Sequence, residues 1–148
     1  MNPIKSKLQV DFLKIVIFGA GKIGRSFIGQ IFGLGGYDVV FIDIDPIIVE
    51  RLNNQRFYKV IYKGETEEEI IVKNVRAILA SDINKLTEVV STAGILAVSV
   101  GKNSIGEVIP GITAGLGLRF KKNPDIPLDI IIAENMTGVL SHLKKKNL

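Results

Sequence analysis

Three glycines, in Gly19-Ala20-Gly21-Lys22-Ile23-Gly24, stand directly behind the apolar run from Leu13 to Phe18. That order restricts the chain more than any bulk property. An apolar run of this length reads as a buried strand, and the glycines read as a tight turn out of it. Residues 22–34 then read as the helix leaving that turn. A second apolar run follows and ends at Asp43, nineteen residues after Gly24. Strand, glycine turn, helix, strand and acid in this order form the fingerprint of a dinucleotide-binding fold. Each part has its own task. Gly19 permits the turn, Gly21 lets backbone approach a diphosphate, and Gly24 lets the helix lie close to the sheet. The helix mouth at Lys22 and Ile23 points free N–H groups at the phosphates. The structural alternative is a glycine turn that packs a helix closely and holds no ligand.

Asp43 is the candidate for the adenosine ribose. A carboxylate there accepts from the ribose hydroxyls and repels a 2′-phosphate, which selects NAD over NADP. Asp45 precedes Pro46 and reads instead as a helix cap. Lys22 and Arg25 could neutralise phosphate charge, but Arg25 is on the wrong loop to receive a 2′-phosphate.

The rest of the chain continues the alternation. The first helix carries Ile23, Phe27, Ile28, Ile31 and Leu34 at helical spacing, a face expected to lie on the sheet. A strand is expected at residues 38–42 and a short helix at 46–53. Residues 57–79 break the pattern. They read as a small antiparallel insertion, with strands at 57–62, 70–72 and 75–79 and a polar turn at 64–69. The acidic run Glu67–Glu69 reads as solvated rather than as a metal site, since no histidine accompanies it. Then come a helix at 82–90 capped by Ser81 or Asp82, a strand at 94–100 and a helix at 104–118 burying Ile105, Val108, Ile109, Ile112 and Leu116. Pro110 should kink that helix or split off its first turn. A strand at 128–133 and a final helix from Asn135 complete the reading. The expected architecture is α/β: a Rossmann-type, doubly wound, mostly parallel sheet over residues 13–148, with residues 1–12 as an appended arm.

Ligands of open sheets lie beyond the carboxyl ends of the strands. That selects Ser99-Val100-Gly101 and Glu134-Asn135 as the border of the nicotinamide half. Asn135 is either an amide donor to a reacting oxygen or the cap of the last helix. His142, the one histidine, reads as a surface residue.

Composition narrows the function classes. The chain has 148 residues, 47% apolar, a net charge of +4 and no cysteine. Thiolate catalysis, disulfides and cysteine-based zinc sites are excluded, and a reducing cytoplasm is the expected compartment. No run is apolar enough to cross a bilayer, and no signal-peptide pattern precedes the first strand. The lysines at 121–122 and 144–146 lack interleaved aromatics, so neither nucleic acid nor membrane is an expected partner.

The string from Phe18 to Gly29 (FGAGKIGRSFIG) goes beyond a generic fingerprint. With Phe41-Ile42-Asp43, Gly64-Glu65-Thr66-Glu67, Ser99-Val100-Gly101 and the stretch from Ile131 to Met136 (IIAENM), it resembles the long-chain mannitol dehydrogenase family. The resemblance covers residues 14–143. It implies an NAD-dependent oxidoreductase acting on a polyol phosphate of the mannitol 1-phosphate/fructose 6-phosphate type, with Asn135 near the reacting oxygen. It also implies a second, helical domain that supplies the catalytic lysine and the substrate site, and no residue here matches that lysine's motif. The chain alone is therefore expected to bind NAD(H) without turnover and to self-associate through an exposed interdomain face. The alternative reading is a stand-alone NADH-responsive regulatory module. Ser26 departs from the family, which commonly has glycine there.

Overall fold

The computed structural model describes residues 9–101 and 104–133. In chain order the elements are β1 (Asp11–Phe18), α1 (residues 22–34), β2 (Asp38–Asp43), α2 (Pro46–Gln55), β3 (Phe57–Lys63), β4 (Glu67–Lys73) and β5 (Val75–Leu79). There follow α3 (Ile83–Ser91), β6 (Ala93–Val98), α4 (Ile105–Lys122) and β7 (Asp129–Ile132). Five strands form one all-parallel sheet in the order β5-β2-β1-β6-β7, while β3 and β4 form a separate antiparallel pair. The doubly wound architecture is as expected.

The central strands read as unbroken apolar runs because both faces of the sheet are covered. Side chains alternate between two cores. Val16, Phe18, Val40 and Ile42 pack with Leu86, Val90, Ile109 and Ile112 of α3 and α4. Ile15, Ile17, Val39 and Phe41 pack on the other face with Ile28, Leu52 and the hairpin residues Tyr58, Val60 and Val72.

Three details correct the sequence reading. Residues 75–79 are not part of the antiparallel insertion. They pair in parallel with β2, from Val39↔Val75 to Asp43↔Leu79. Asn74, at φ +60°, turns the chain between β4 and β5. The Asn53 side chain then clamps β5 by donating to Ala77 O at 2.9 Å and accepting from Ala77 N at 2.8 Å. The acidic run lies in β4 rather than in a turn, with Glu69 exposed and paired to Lys59 at 3.1 Å. The face of α1 that meets the sheet also differs from the one expected. Ile28 is buried, but Ile23, Phe27, Ile31 and Leu34 are 40%, 61%, 55% and 59% exposed. The helix rests on its glycines instead. A Cβ on Gly29 would stand 2.4 Å from the Tyr58 hydroxyl, and one on Gly33 would stand 2.5 Å from Val72 Cγ1. Close contact with sheet and hairpin requires the small residues there, which turns the large ones outward. Gly24–Gly29 also form a wider π-helical turn, and that shifts the α-helical register assumed from spacing.

The α4 helix buries all five expected residues and continues through Pro110 without splitting. At its far end Arg119 is fully buried, unforeseen in the sequence. Its guanidinium donates to Ala93 O, to Ser91 O at 3.4 Å and to Pro127 O at 3.1 Å. It ties the end of α4 to the start of β6 and to the loop before β7.

Candidate functional site

The turn after β1 is built as its glycines require. Gly19 adopts φ +104°, a conformation L side chains rarely take. Its N–H donates to Ile42 O at 2.7 Å, which fixes the turn against the end of β2. A Cβ on Gly24 would lie 2.1 Å from Gly19 O, so the start of α1 closes directly over the turn. Gly21 differs: a Cβ there would meet no atom of the described residues within 4 Å. Its missing side chain therefore serves no packing among the described residues and leaves the backbone open to the cleft.

Asp43 reaches back to the same turn. Its Oδ2 accepts from Ala20 N at 2.8 Å and its Oδ1 accepts from Asp45 N at 2.9 Å. A carboxylate has about four acceptor positions, so each oxygen keeps one for a further donor. Asp45 caps α2 by accepting from Ile47 N at 2.9 Å ahead of Pro46, as expected. Asp82 caps α3 through Lys85 N at 3.3 Å, which decides between Ser81 and Asp82.

The third wall comes from the end of β6. Ser99 N donates to Phe18 O at 2.8 Å. The Ser99 hydroxyl donates towards Phe18 O at 3.1 Å and Gly19 O at 3.0 Å. The hydroxyl braces the glycine turn from behind, a structural duty that the sequence did not disclose.

Together these residues enclose a cleft of about 260 Å³ at the carboxyl ends of β1, β2 and β6. Of the candidate residues named from the sequence, Gly19, Gly21, Asp43, Ser99, Val100 and Gly101 line it. Ile44 and Ser104 line it as well and were not foreseen. Ala20 is buried in the core below, and its amide is taken by Asp43. Lys22 and Ile23 are exposed at the helix mouth, and Gly24 is buried. Arg25 N donates to Gly21 O at 3.0 Å as a first helical bond. The amides ahead of it have no earlier carbonyl within the helix to bond. Glu134, Asn135 and His142 lie outside the described residues. A larger groove between α2 and α3 sets Lys14, Arg56, Arg76 and Lys85 against Asp82 and Glu88. Its four cations outnumber its two carboxylates, and it holds none of the glycine-turn groups. Among the described residues no His, Asp and Glu cluster could hold a metal ion.

The family model of the mannitol dehydrogenase Rossmann domain matches residues 13–148. The chain belongs to that family. Relatives include mannitol-1-phosphate 5-dehydrogenases of Thermoanaerobacter pseudethanolicus (39% identical over 132 residues), Geobacillus thermodenitrificans (38% over 134) and Brevibacillus brevis (36% over 130). The matches cover 88–90% of this chain and 33–34% of those relatives. The chain thus spans about a third of the length of the mannitol-1-phosphate 5-dehydrogenases it matches.

Proposed function

We propose that this chain is the cofactor domain of an oxidoreductase that transfers hydride between NAD and a polyol phosphate of the mannitol 1-phosphate/fructose 6-phosphate type. The observation that carries the reading is the contrast between neighbouring glycines. Gly19 and Gly24 are needed by the fold, whereas Gly21 opens onto a cleft beside a carboxylate. A dinucleotide fits that arrangement. The amides of Lys22, Ile23 and Gly24 face its diphosphate, where the helix mouth adds partial positive charge. Asp43, anchored on Ala20 N–H, uses its remaining lone pairs for the adenosine ribose and disfavours a 2′-phosphate. Ser99, Val100 and Gly101 form the wall beneath the nicotinamide half. When bound, NAD(H) accepts or donates the hydride of the alcohol carbon.

The names of the relatives support the substrate class, and the family resemblance assigns Asn135 to orienting the reacting oxygen. Polyol phosphate recognition and proton transfer need residues beyond this third of a relative's length, so the isolated chain binds cofactor without turnover. No helix of the described residues is long and apolar enough to cross a membrane, and we place the domain in the cytoplasm. The exposed stripe Ile23, Phe27, Ile31 and Leu34 is the surface through which the isolated domain self-associates.

Calorimetric titration with NADH and NADPH tests the reading. NADH should bind, and NADPH should bind at least tenfold more weakly. Preference for NADPH would refute the role of Asp43, and binding of neither would refute the function.

A further inference from the structure

The glycine turn is held from a side that carries no motif. Tyr58, on the antiparallel hairpin, is buried against the core face of α1, with its ring edge-on to Phe41 at a centroid distance of 5.8 Å. Its hydroxyl donates to Arg25 O at 2.6 Å. The approach depends on Gly29, since a Cβ there would collide with the phenol oxygen. Burial raises the phenol pKa, with the Arg25 charge opposing the shift, so the group remains a proton donor throughout the neutral range.

The backbone of Arg25 is therefore pinned at both ends. Its carbonyl accepts from Tyr58, and its N–H donates to Gly21 O at 3.0 Å. The Gly21 carbonyl and the Lys22 N–H belong to one planar trans peptide, so fixing the first aims the second in the opposite direction. Gly21 is also the residue whose backbone is open to the cleft. Arg25 lies within the wide π turn Gly24–Gly29, so the Tyr58 contact falls inside that turn.

We propose that Tyr58 is a positioning residue for the cofactor diphosphate, acting through the two peptide units that flank Arg25 on the orientation of the Lys22 amide. This rests on the NAD(H) reading above. It adds a cofactor role to a hairpin that pairs apart from the parallel sheet and packs into its core. Tyr62 serves as an internal control. It lies on the same hairpin and is itself exposed, and its hydroxyl donates to the Gln30 side chain at 2.8 Å rather than to backbone.

The test titrates the unmodified chain, Tyr58→Phe and Tyr62→Phe with NADH, ADP and adenosine, each beside a thermal melt. Tyr58→Phe should weaken NADH and ADP by about three- to tenfold, the loss expected from one misaligned hydrogen bond. Adenosine should be unaffected, and Tyr62→Phe should leave all three ligands unchanged. Equal losses for ADP and adenosine would mark general loosening and overturn the proposal, as would unchanged NADH binding. If the unmodified chain itself fails to bind NADH, the parent reading falls and this one with it. If NADH binds the unmodified chain and Tyr58→Phe equally well, only this inference falls. Should Tyr58→Phe not fold, the Arg25 carbonyl ¹³C resonance of the unmodified chain decides. A shift with ADP but not with adenosine supports the coupling, and a static resonance overturns it.

Discussion

Replacing Asp43 with alanine should damage two properties together, because its carboxylate faces both the protein and the cleft. On the protein side it accepts from Ala20 N at 2.8 Å and Asp45 N at 2.9 Å. Hydrogen bonds to a charged group contribute about 1.5–3 kcal/mol each when protected. Asp43 is only partly buried, so water recovers part of that, and the expected loss is about 2–3 kcal/mol in total. For a domain of this size, about 3 °C in Tm accompanies each kcal/mol, so Asp43→Ala should melt about 6–9 °C lower. On the ligand side the ribose loses a charged acceptor, which weakens NADH by about 1–3 kcal/mol, or roughly 5- to 150-fold. Calorimetric melting and NADH titration of the same preparation measure both. A melt within about 2 °C of the unmodified chain, together with unchanged NADH affinity, would refute the idea that this carboxylate links the glycine turn to the ribose. A lowered melt with unchanged affinity would leave Asp43 as a brace only.

Other predictions follow from groups outside the cleft. Burial lowers the Lys14 pKa from its usual 10.5, with Arg76 adding to the shift. Between the lowered folded value and 10.5 the unfolded chain holds more protons, so stability should rise with pH across that window. Urea titrations from pH 7 to 10.5 should show a rise attributable to Lys14 that Lys14→Met lacks; equal slopes would contradict it. Arg119→Met should lower stability by about 2–4 kcal/mol in urea, since the Ala93 and Pro127 carbonyls lose their donor, and a change below about 0.5 kcal/mol would contradict the stapling role. Phe27→Glu with Ile31→Glu should shift the sedimenting species to monomer without a lower melt. Persistence of the larger species would place self-association on another surface.

The parts legible in the sequence were those with one physical solution. A glycine turn behind a buried strand, an acid at the end of the next strand and Asp45 ahead of Pro46 each require a specific residue at a specific place. The missed parts had more than one solution. Residues 75–79 form a short apolar strand that pairs equally well in a hairpin or in a parallel sheet, and only the side-chain clamp by Asn53 and the space beside β2 decide between them. The face of α1 was misassigned because hydrophobic spacing assumes that large side chains make the contact, whereas Gly29 and Gly33 make it here. Arg119 near the end of a helix reads as a solvated cation until the carbonyls of residues from distant elements gather round it. Tyr58 had no signal of its own, since alternation on a hairpin says which face is inward but not which backbone carbonyl awaits it.

Gly21→Val separates a glycine that faces ligand from one that serves packing, because a Cβ there would meet no atom of the described residues within 4 Å. An unchanged melt and NADH affinity reduced at least tenfold are expected. Intact NADH binding by a normally folded Gly21→Val chain would contradict a ligand-facing role for Gly21.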